Sequence, residues 1–206
     1  MLTLWGRTNS INVMKVLWVL DEIGLKYERK EAGGQFGVVD TPEYRAMNPN
    51  GRVPTIVDDD GTVLWESNTI TRYLAARYGQ PPLYPAYPPS RAKAEMWMDW
   101  QLSSLGDMTP VFWQLIRTPA EKRDMALVER ARKNLEPVWG IVDKHLAQNR
   151  YLGGDEFTYG DIPVGCFVHR YLSLPIERPR FANIEAYYQR LKQRPGYVKH
   201  VAVPLT

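Results

Sequence analysis

The pair Val53-Pro54 stands directly ahead of a short β-branched run, Thr55-Ile56-Val57. A proline there removes a ladder donor, which suits a strand start or an edge. It leaves Val53 with a backbone N–H and C=O free to pair with a peptide-like ligand. Further on, Glu66-Ser67 opens a run with Ile70, Tyr73, Leu74 and Tyr78 at helical spacing, and Ser67 is the expected N-cap. Helix N-termini attract carboxylates. A free backbone edge beside an anion site can hold a short acidic peptide, while an ordinary hairpin followed by a capped helix is the other reading. A third group, Ser10 and Asn12, lies at the start of the first expected helix, and both side chains can donate hydrogen bonds.

Other chemistries find few residues. Cys166 is the single cysteine, which excludes a disulfide framework and a C-x-x-C redox pair. Flanked by Val164, Phe167 and Val168, it reads as a buried structural thiol. His145, His169 and His200 lie far apart with no carboxylate or thiol at ligand spacing, so no metal site is expected. A net charge of +3, with both signs interspersed, argues against nucleic acid or a membrane as partner. The chain is 44% apolar and 24% charged, the range of globular proteins. No apolar run approaches a spanning helix. The start MLTLWGRTNS has neither a basic region nor an apolar stretch of signal-peptide type, which predicts a cytoplasmic protein.

The elements that must position these groups follow from local signals. Leu2 to Trp5 is a strand, Gly6 to Ser10 a polar loop, and a helix follows with Val13, Val16, Leu17, Leu20 and Ile23 on one face and Gly24 as its stop. Lys26 to Glu31 is a weak strand, and Ala32 to Met47 a loop with room for one helical turn. Asn48 to Gly51 forms a turn, Asp60-Gly61 a hairpin, and Thr62 to Trp65 the returning strand. That order is the order of a thioredoxin-like sheet covered by helices. The proline-rich stretch 80–90 then marks a linker between a first domain, 1–79, and a second, 91–206. Beyond it the pattern is helical: one helix after Ser90, one from about Pro119 to Asn149 interrupted near Pro137, and two more near Ile162–Leu172 and Ile184–Lys192. The fold class is therefore α+β, a thioredoxin-like domain followed by an all-α bundle. Trp97, Trp100 and Trp139 fall at packing positions. Thr158 and Asp161 form a capping-box pair with Phe157 and Ile162 as its staple, a folding role. Pro163 is expected to cost that helix one hydrogen bond.

The string NPNGRVPTIVDDDGTVLWESNTITRYLAARYG resembles the glutathione-binding half of soluble glutathione transferases. Their pattern is an N-P-x-G-x-V-P-x-L run, an acidic hairpin, then an E-S or Q-S pair opening a helix. The resemblance extends over the whole chain in length and element order. It implies a cis Pro54, pairing of the Val53 backbone with the cysteinyl unit of glutathione, and binding of the γ-glutamyl end at Glu66 and Ser67. The thioredoxin-like loop after the first strand holds no cysteine here, so the thiol must come from the ligand. The string GRTNSINVMKVL resembles the phi-class pattern whose serine stabilises the glutathione thiolate, which carries to Ser10. Nu-class members place a threonine and an asparagine near the sulfur, which points to Ser10 and Asn12 together. Thr8 is an alternative, and helix capping is the remaining possibility for either residue.

Phi-class enzymes usually bind the glycyl carboxylate with a His-Lys pair, whereas this chain reads Val38-Val39-Asp40 there. Arg52 is the substitute candidate and Gln35 a weaker one. The family architecture would place the electrophile among Arg7, Trp113 and Arg117, and two inward-pointing arginines would favour a small anionic electrophile such as a haloacid. Solvation of Arg7 and helix capping by Arg117 are the alternatives. The resemblance further implies glutathione as co-substrate, no metal, a homodimer and a role in detoxification. A glutathione-dependent disulfide reductase of nu type and a non-enzymatic binding module remain as rivals to conjugation.

Overall fold

In the computed structural model, which describes residues 1–206, β1 (Leu2–Trp5) leads into α1 (Ile11–Ile23). Gly24 ends that helix in the left-handed region at φ 66°, where its amide reaches back to the Asp21 carbonyl. A single apolar stripe was expected, yet every residue from Val13 to Leu20 is buried. The reason is that α1 carries the sheet domain on one side and the later helices on the other. It packs on α3 (Ser67–Tyr78), α7 (Asp161–Ser173) and α9 (Pro195–His200).

The sheet has the order β2-β1-β3-β4. β2 (Tyr27–Lys30) runs parallel to β1, while β3 (Thr55–Val57) is antiparallel to β1 and to β4 (Val63–Trp65). Because β3 is paired on both sides, Pro54 marks the start of an internal strand and not an edge. The segment expected to be mostly loop contains a 3-10 turn, Gly34–Phe36, and a short helix, α2 (Pro42–Met47). Thr41 caps α2 by accepting from the Tyr44 amide at 3.2 Å, and Pro42 occupies its first turn.

The β3–β4 hairpin is fastened to α3. Asp58, 4% exposed, accepts from the Tyr73 hydroxyl at 2.6 Å and from the Tyr78 hydroxyl at 2.9 Å. Arg77 pairs with Asp59 at 3.0 Å and with Asp60. This fixes where β4 hands over to α3, and hence where Glu66 and Ser67 lie. Ser67 is not the N-cap: it is the first residue of α3, and Glu66 holds the cap position at φ 71°.

The helical part begins within the proline-rich stretch. α4 (Pro88–Ser104) takes Pro88 and Pro89 into its first turn, where no intrahelical donor is lost. After a break at Leu105, α5 (Met108–Phe112) runs on into a π-helical turn, Trp113–Arg117. α6 (Met125–Leu146) starts later than expected, because Asp124 caps it by accepting from the Leu127 amide at 2.8 Å, and it passes through Pro137. α7 opens on Asp161. Pro163 sits in its first turn, so the expected loss of a hydrogen bond does not arise. α8 (Ala182–Leu191) and α9 complete the chain, and α9 was not anticipated. Trp97 and Trp139 are buried, and Trp100 packs edge-on against Trp97. One continuous apolar core joins the two parts, with Trp18 of α1 against Phe157 and Tyr197. No helix is long and apolar enough to cross a membrane.

Candidate functional site

Two adjoining cavities open where the ends of β1, β3 and β4 meet the N-termini of α1 and α3. The smaller, about 70 Å³, is lined by Asn12, Asn48, Asn50, Arg52, Val53, Pro54, Glu66 and Ser67. The larger, about 470 Å³, is lined by Arg7, Ser10, Gly33, Gly34, Val39, Gly51, Arg52, Val53, Thr109 and Trp113. Arg52 and Val53 belong to both.

The Val53–Pro54 bond is cis, and neither the N–H nor the C=O of Val53 has a partner in the protein. The loop that presents them is clamped from behind. The Tyr44 hydroxyl donates to the Arg52 carbonyl at 2.7 Å, and the Asn48 amide donates to the same carbonyl at 2.9 Å and to Thr55 Oγ1 at 3.0 Å. Gly51, at φ 60°, allows the tight turn before them, since a Cβ there would lie 3.1 Å from the Val39 carbonyl. Tyr44 was not singled out from sequence, and Asn48 was read only as the start of a turn. The Thr-Pro-Glu-Tyr helix start was the available signal for Tyr44.

Across the small cavity Glu66 is exposed, and its left-handed backbone costs on the order of 1–3 kcal/mol, a strain that functional positions tend to retain. Ser67 is 4% exposed, and behind it stands Lys15, which is fully buried. Lys15 Nζ donates to Gln101 Oε1 at 2.8 Å, Asn68 Oδ1 at 3.0 Å and Ser67 Oγ at 3.4 Å. Sequence reasoning passed over Lys15, although a lone lysine inside the apolar run from Val13 to Leu20 was visible.

Ser10 occupies the N-cap position of α1, and its carbonyl accepts from Met14 at 2.9 Å, but its hydroxyl makes no capping bond. That hydroxyl is therefore free for a ligand in the larger cavity. Asn12, exposed on the first turn, faces the smaller cavity. Thr8 and Gln35 are exposed and line neither. Arg7 and Trp113 line the larger cavity together, with the Arg7 side chain lying over the Gly33-Gly34 backbone. Arg117 does not line it: its guanidinium donates to the Thr206 carbonyl at 3.0 Å and lies over the Trp113 ring. Burial and the neighbouring Arg7 charge lower its pKa. Arg7 and Arg52 make no ion pairs, and Asp40 of the nearby loop is taken by Arg45. The larger cavity is thus electropositive. Cys166 takes no part. It is 2% exposed, and burial pushes its thiol up to about 12.

Comparison with known proteins agrees with this architecture. Residues 1–76 match the model of the glutathione S-transferase N-terminal domain, and residues 125–190 that of the glutathione S-transferase C-terminal domain. The chain is 41% identical to glutathione S-transferase GstB of Escherichia coli strain K12, with 100% of each chain covered. It superposes on the theta class glutathione S-transferase of Xanthomonas axonopodis pv. citri, solved with glutathione bound, with a TM-score of 0.95. That pair is 47% identical, over 100% of this chain and 99% of the other. Elongation factor 1-gamma of Prunus avium is 32% identical over 94% of this chain but only 46% of its own length.

Proposed function

The chain belongs to the glutathione S-transferase family and is a glutathione transferase, and from that premise we propose how its own residues divide the work. Glutathione lies along Val53-Pro54, its cysteinyl unit paired with the Val53 backbone and its γ-glutamyl carboxylate at Glu66-Ser67. Ser10 donates to the sulfur, Asn12 lies between sulfur and γ-glutamyl group, and Arg52 receives the glycyl carboxylate. The observation that carries this reading is the unpaired Val53 backbone, which faces Glu66 and Ser67 in one cavity and opens toward Ser10 in the next. The thiolate attacks an electrophilic carbon, the leaving group departs with the bonding pair, and no group of the protein is altered. No metal enters this scheme. The protein works in the cytoplasm as a homodimer; exposed apolar Val63 and Trp65 on β4 and Met96 and Leu102 on α4 support the dimer, and light scattering that reads a monomer mass overturns it.

Removing the γ-glutamyl contacts should weaken glutathione binding and leave the fold intact. Ser67→Ala, and more so Glu66→Ala, is expected to lose about 1–3 kcal/mol of binding free energy, the range for a charge-assisted contact left unpaired. Calorimetric affinity equal to wild type in folded variants would remove the pair from the site.

The electrophile is a small anion such as a haloacid, attracted by the unpaired guanidinium of Arg7 beside Trp113. Haloacetate is expected to react faster than its uncharged amide in wild type, and Arg7→Ala should narrow that preference by about tenfold. Arg117→Ala should matter less, since Arg117 is engaged by the Thr206 carbonyl. Equal rates for acid and amide, or a preference untouched by Arg7→Ala, sinks the haloacid. Faster turnover of a small disulfide than of either would favour the nu-type reductase.

A further inference from the structure

Lys15 is a fully buried cation without an anion. Its ammonium has three donors, and all three end on neutral oxygens, those of Ser67, Asn68 and Gln101. No carboxylate lies within ion-pair distance, although a lysine is among the residues least often buried unpaired. The acceptors come from two helices and are themselves held. Asn68 Nδ2 donates to the Met98 carbonyl at 2.9 Å, which fixes its oxygen toward Lys15. The facing charges offer little compensation. Glu66 at the head of α3 is exposed, Cys166 on α7 is a neutral thiol, and Arg170, also on α7, carries a like charge. The ring of Phe167 lies 5.7 Å from Nζ, and α4 presents only the neutral Gln101.

The one direction in which a counter-charge can arrive is through Ser67. Its hydroxyl touches Nζ, and the residue also lines the small cavity. We propose that Lys15 is the buried counter-charge of the ligand's γ-glutamyl carboxylate, a positioning residue that acts through Ser67 and couples glutathione binding to a fractional proton uptake that grows above neutral pH. The inference rests on the placement of that carboxylate at Glu66-Ser67. Burial lowers the pKa of Lys15 to about 8 in the free protein. Above that pH the amine is neutral. A carboxylate bound on the far side of the Ser67 hydroxyl, two hydrogen bonds from Nζ, favours the ammonium form. The amine then takes a proton from solvent as the ligand binds. Each tenfold of affinity gained this way corresponds to one unit by which the ligand raises that pKa.

The test uses S-methylglutathione, which has no ionisable thiol, in calorimetric titrations at pH 7.0 and pH 8.5 in two buffers of different ionisation enthalpy. Wild type should take up more protons at pH 8.5 than Lys15→Met or Lys15→Arg. Lys15→Met should bind about tenfold more weakly at pH 7.0, and Lys15→Arg should retain affinity at both pH values because its charge does not titrate. In turnover, Lys15→Met should raise KM for glutathione and leave KM for the electrophile unchanged, which a general loosening of the fold would not do. Wild type that binds, beside a folded Lys15→Met that binds equally well, overturns the inference alone. Wild type that does not bind S-methylglutathione overturns the placement of glutathione, and the inference with it. If a variant fails to fold, wild type decides: no proton uptake at pH 8.5 overturns the inference.

Discussion

Turnover of glutathione with its electrophile at neutral pH should fall by about ten- to a hundredfold in Ser10→Ala, with glutathione affinity nearly unchanged. A free thiol ionises near pH ~8.5, so at pH 7 only a small fraction is the nucleophilic thiolate. A hydroxyl donor at a helix N-terminus stabilises the anion over the thiol, and each unit by which it lowers the pKa raises the thiolate population up to tenfold. The geometry favours Ser10 for this task. Its backbone is committed on both sides, the amide to the Arg7 carbonyl at 3.3 Å and the carbonyl to Met14, while the hydroxyl caps nothing. Alanine therefore removes the donor without removing a cap, and α1 should stay intact. The measurement is an absorbance titration of bound glutathione thiolate, whose midpoint should move up in the variant. An unmoved midpoint transfers the role to Asn12, which lines the neighbouring cavity, ahead of Thr8, which lines neither.

Which parts of this arrangement were legible in the sequence depended on how local their causes are. The Gly24 stop, the Asp60-Gly61 hairpin and the Val53-Pro54 strand start each rest on a few neighbouring residues, and the structure has them in those places. Glu66 and Ser67 could be read as the opening of α3, but the left-handed Glu66 could not, because the hairpin that precedes it is pinned by Arg77, Tyr73 and Tyr78 from the far end of that helix. Burial of Lys15 needs α3 and α4 to arrive on one side of α1 and α7 on another, which no window of sequence contains. The same holds for Arg117, drawn to the carbonyl of Thr206 and not into the cavity with Arg7. That α4 starts inside the proline-rich stretch 80–90, read as a linker, has a simpler reason. Proline is harmful inside a helix and harmless in its first turn, and Pro88 and Pro89 fall there.

Asp161→Ala should be the most destabilising single change outside the site, on the order of 3–5 kcal/mol, or a fall in Tm of about 10 °C. The carboxylate is fully buried at the head of α7 and ties three segments together. Oδ1 accepts from the Leu152 amide at 2.8 Å and the Tyr187 hydroxyl at 2.9 Å, and Oδ2 accepts from the Thr158 amide at 2.9 Å. Alanine leaves all three donors buried and unpaired, at about 1–3 kcal/mol each before relaxation. Asp161→Asn should also destabilise, because its NH₂ would face one of those donors. The pH dependence has a defined sign. Burial pushes the Asp161 carboxyl up to about 6 against its hydrogen bonds, whereas the unfolded chain titrates near ~3.9. Between those values the folded state binds more protons than the unfolded state, so this group's contribution is greatest below pH ~4 and declines as pH rises through about 6. The gap in stability between wild type and Asp161→Asn should therefore be wider at pH 5 than at pH 7 in urea titrations. Because α7 is the wall behind Lys15 and α1, the Ala variant should also lose glutathione binding near its melting range, and recover it on cooling. A variant as stable as wild type would show that Asp161 does not hold this junction as its contacts indicate, and a gap that closes on acidification would show that burial does not hold its carboxyl above the ordinary range.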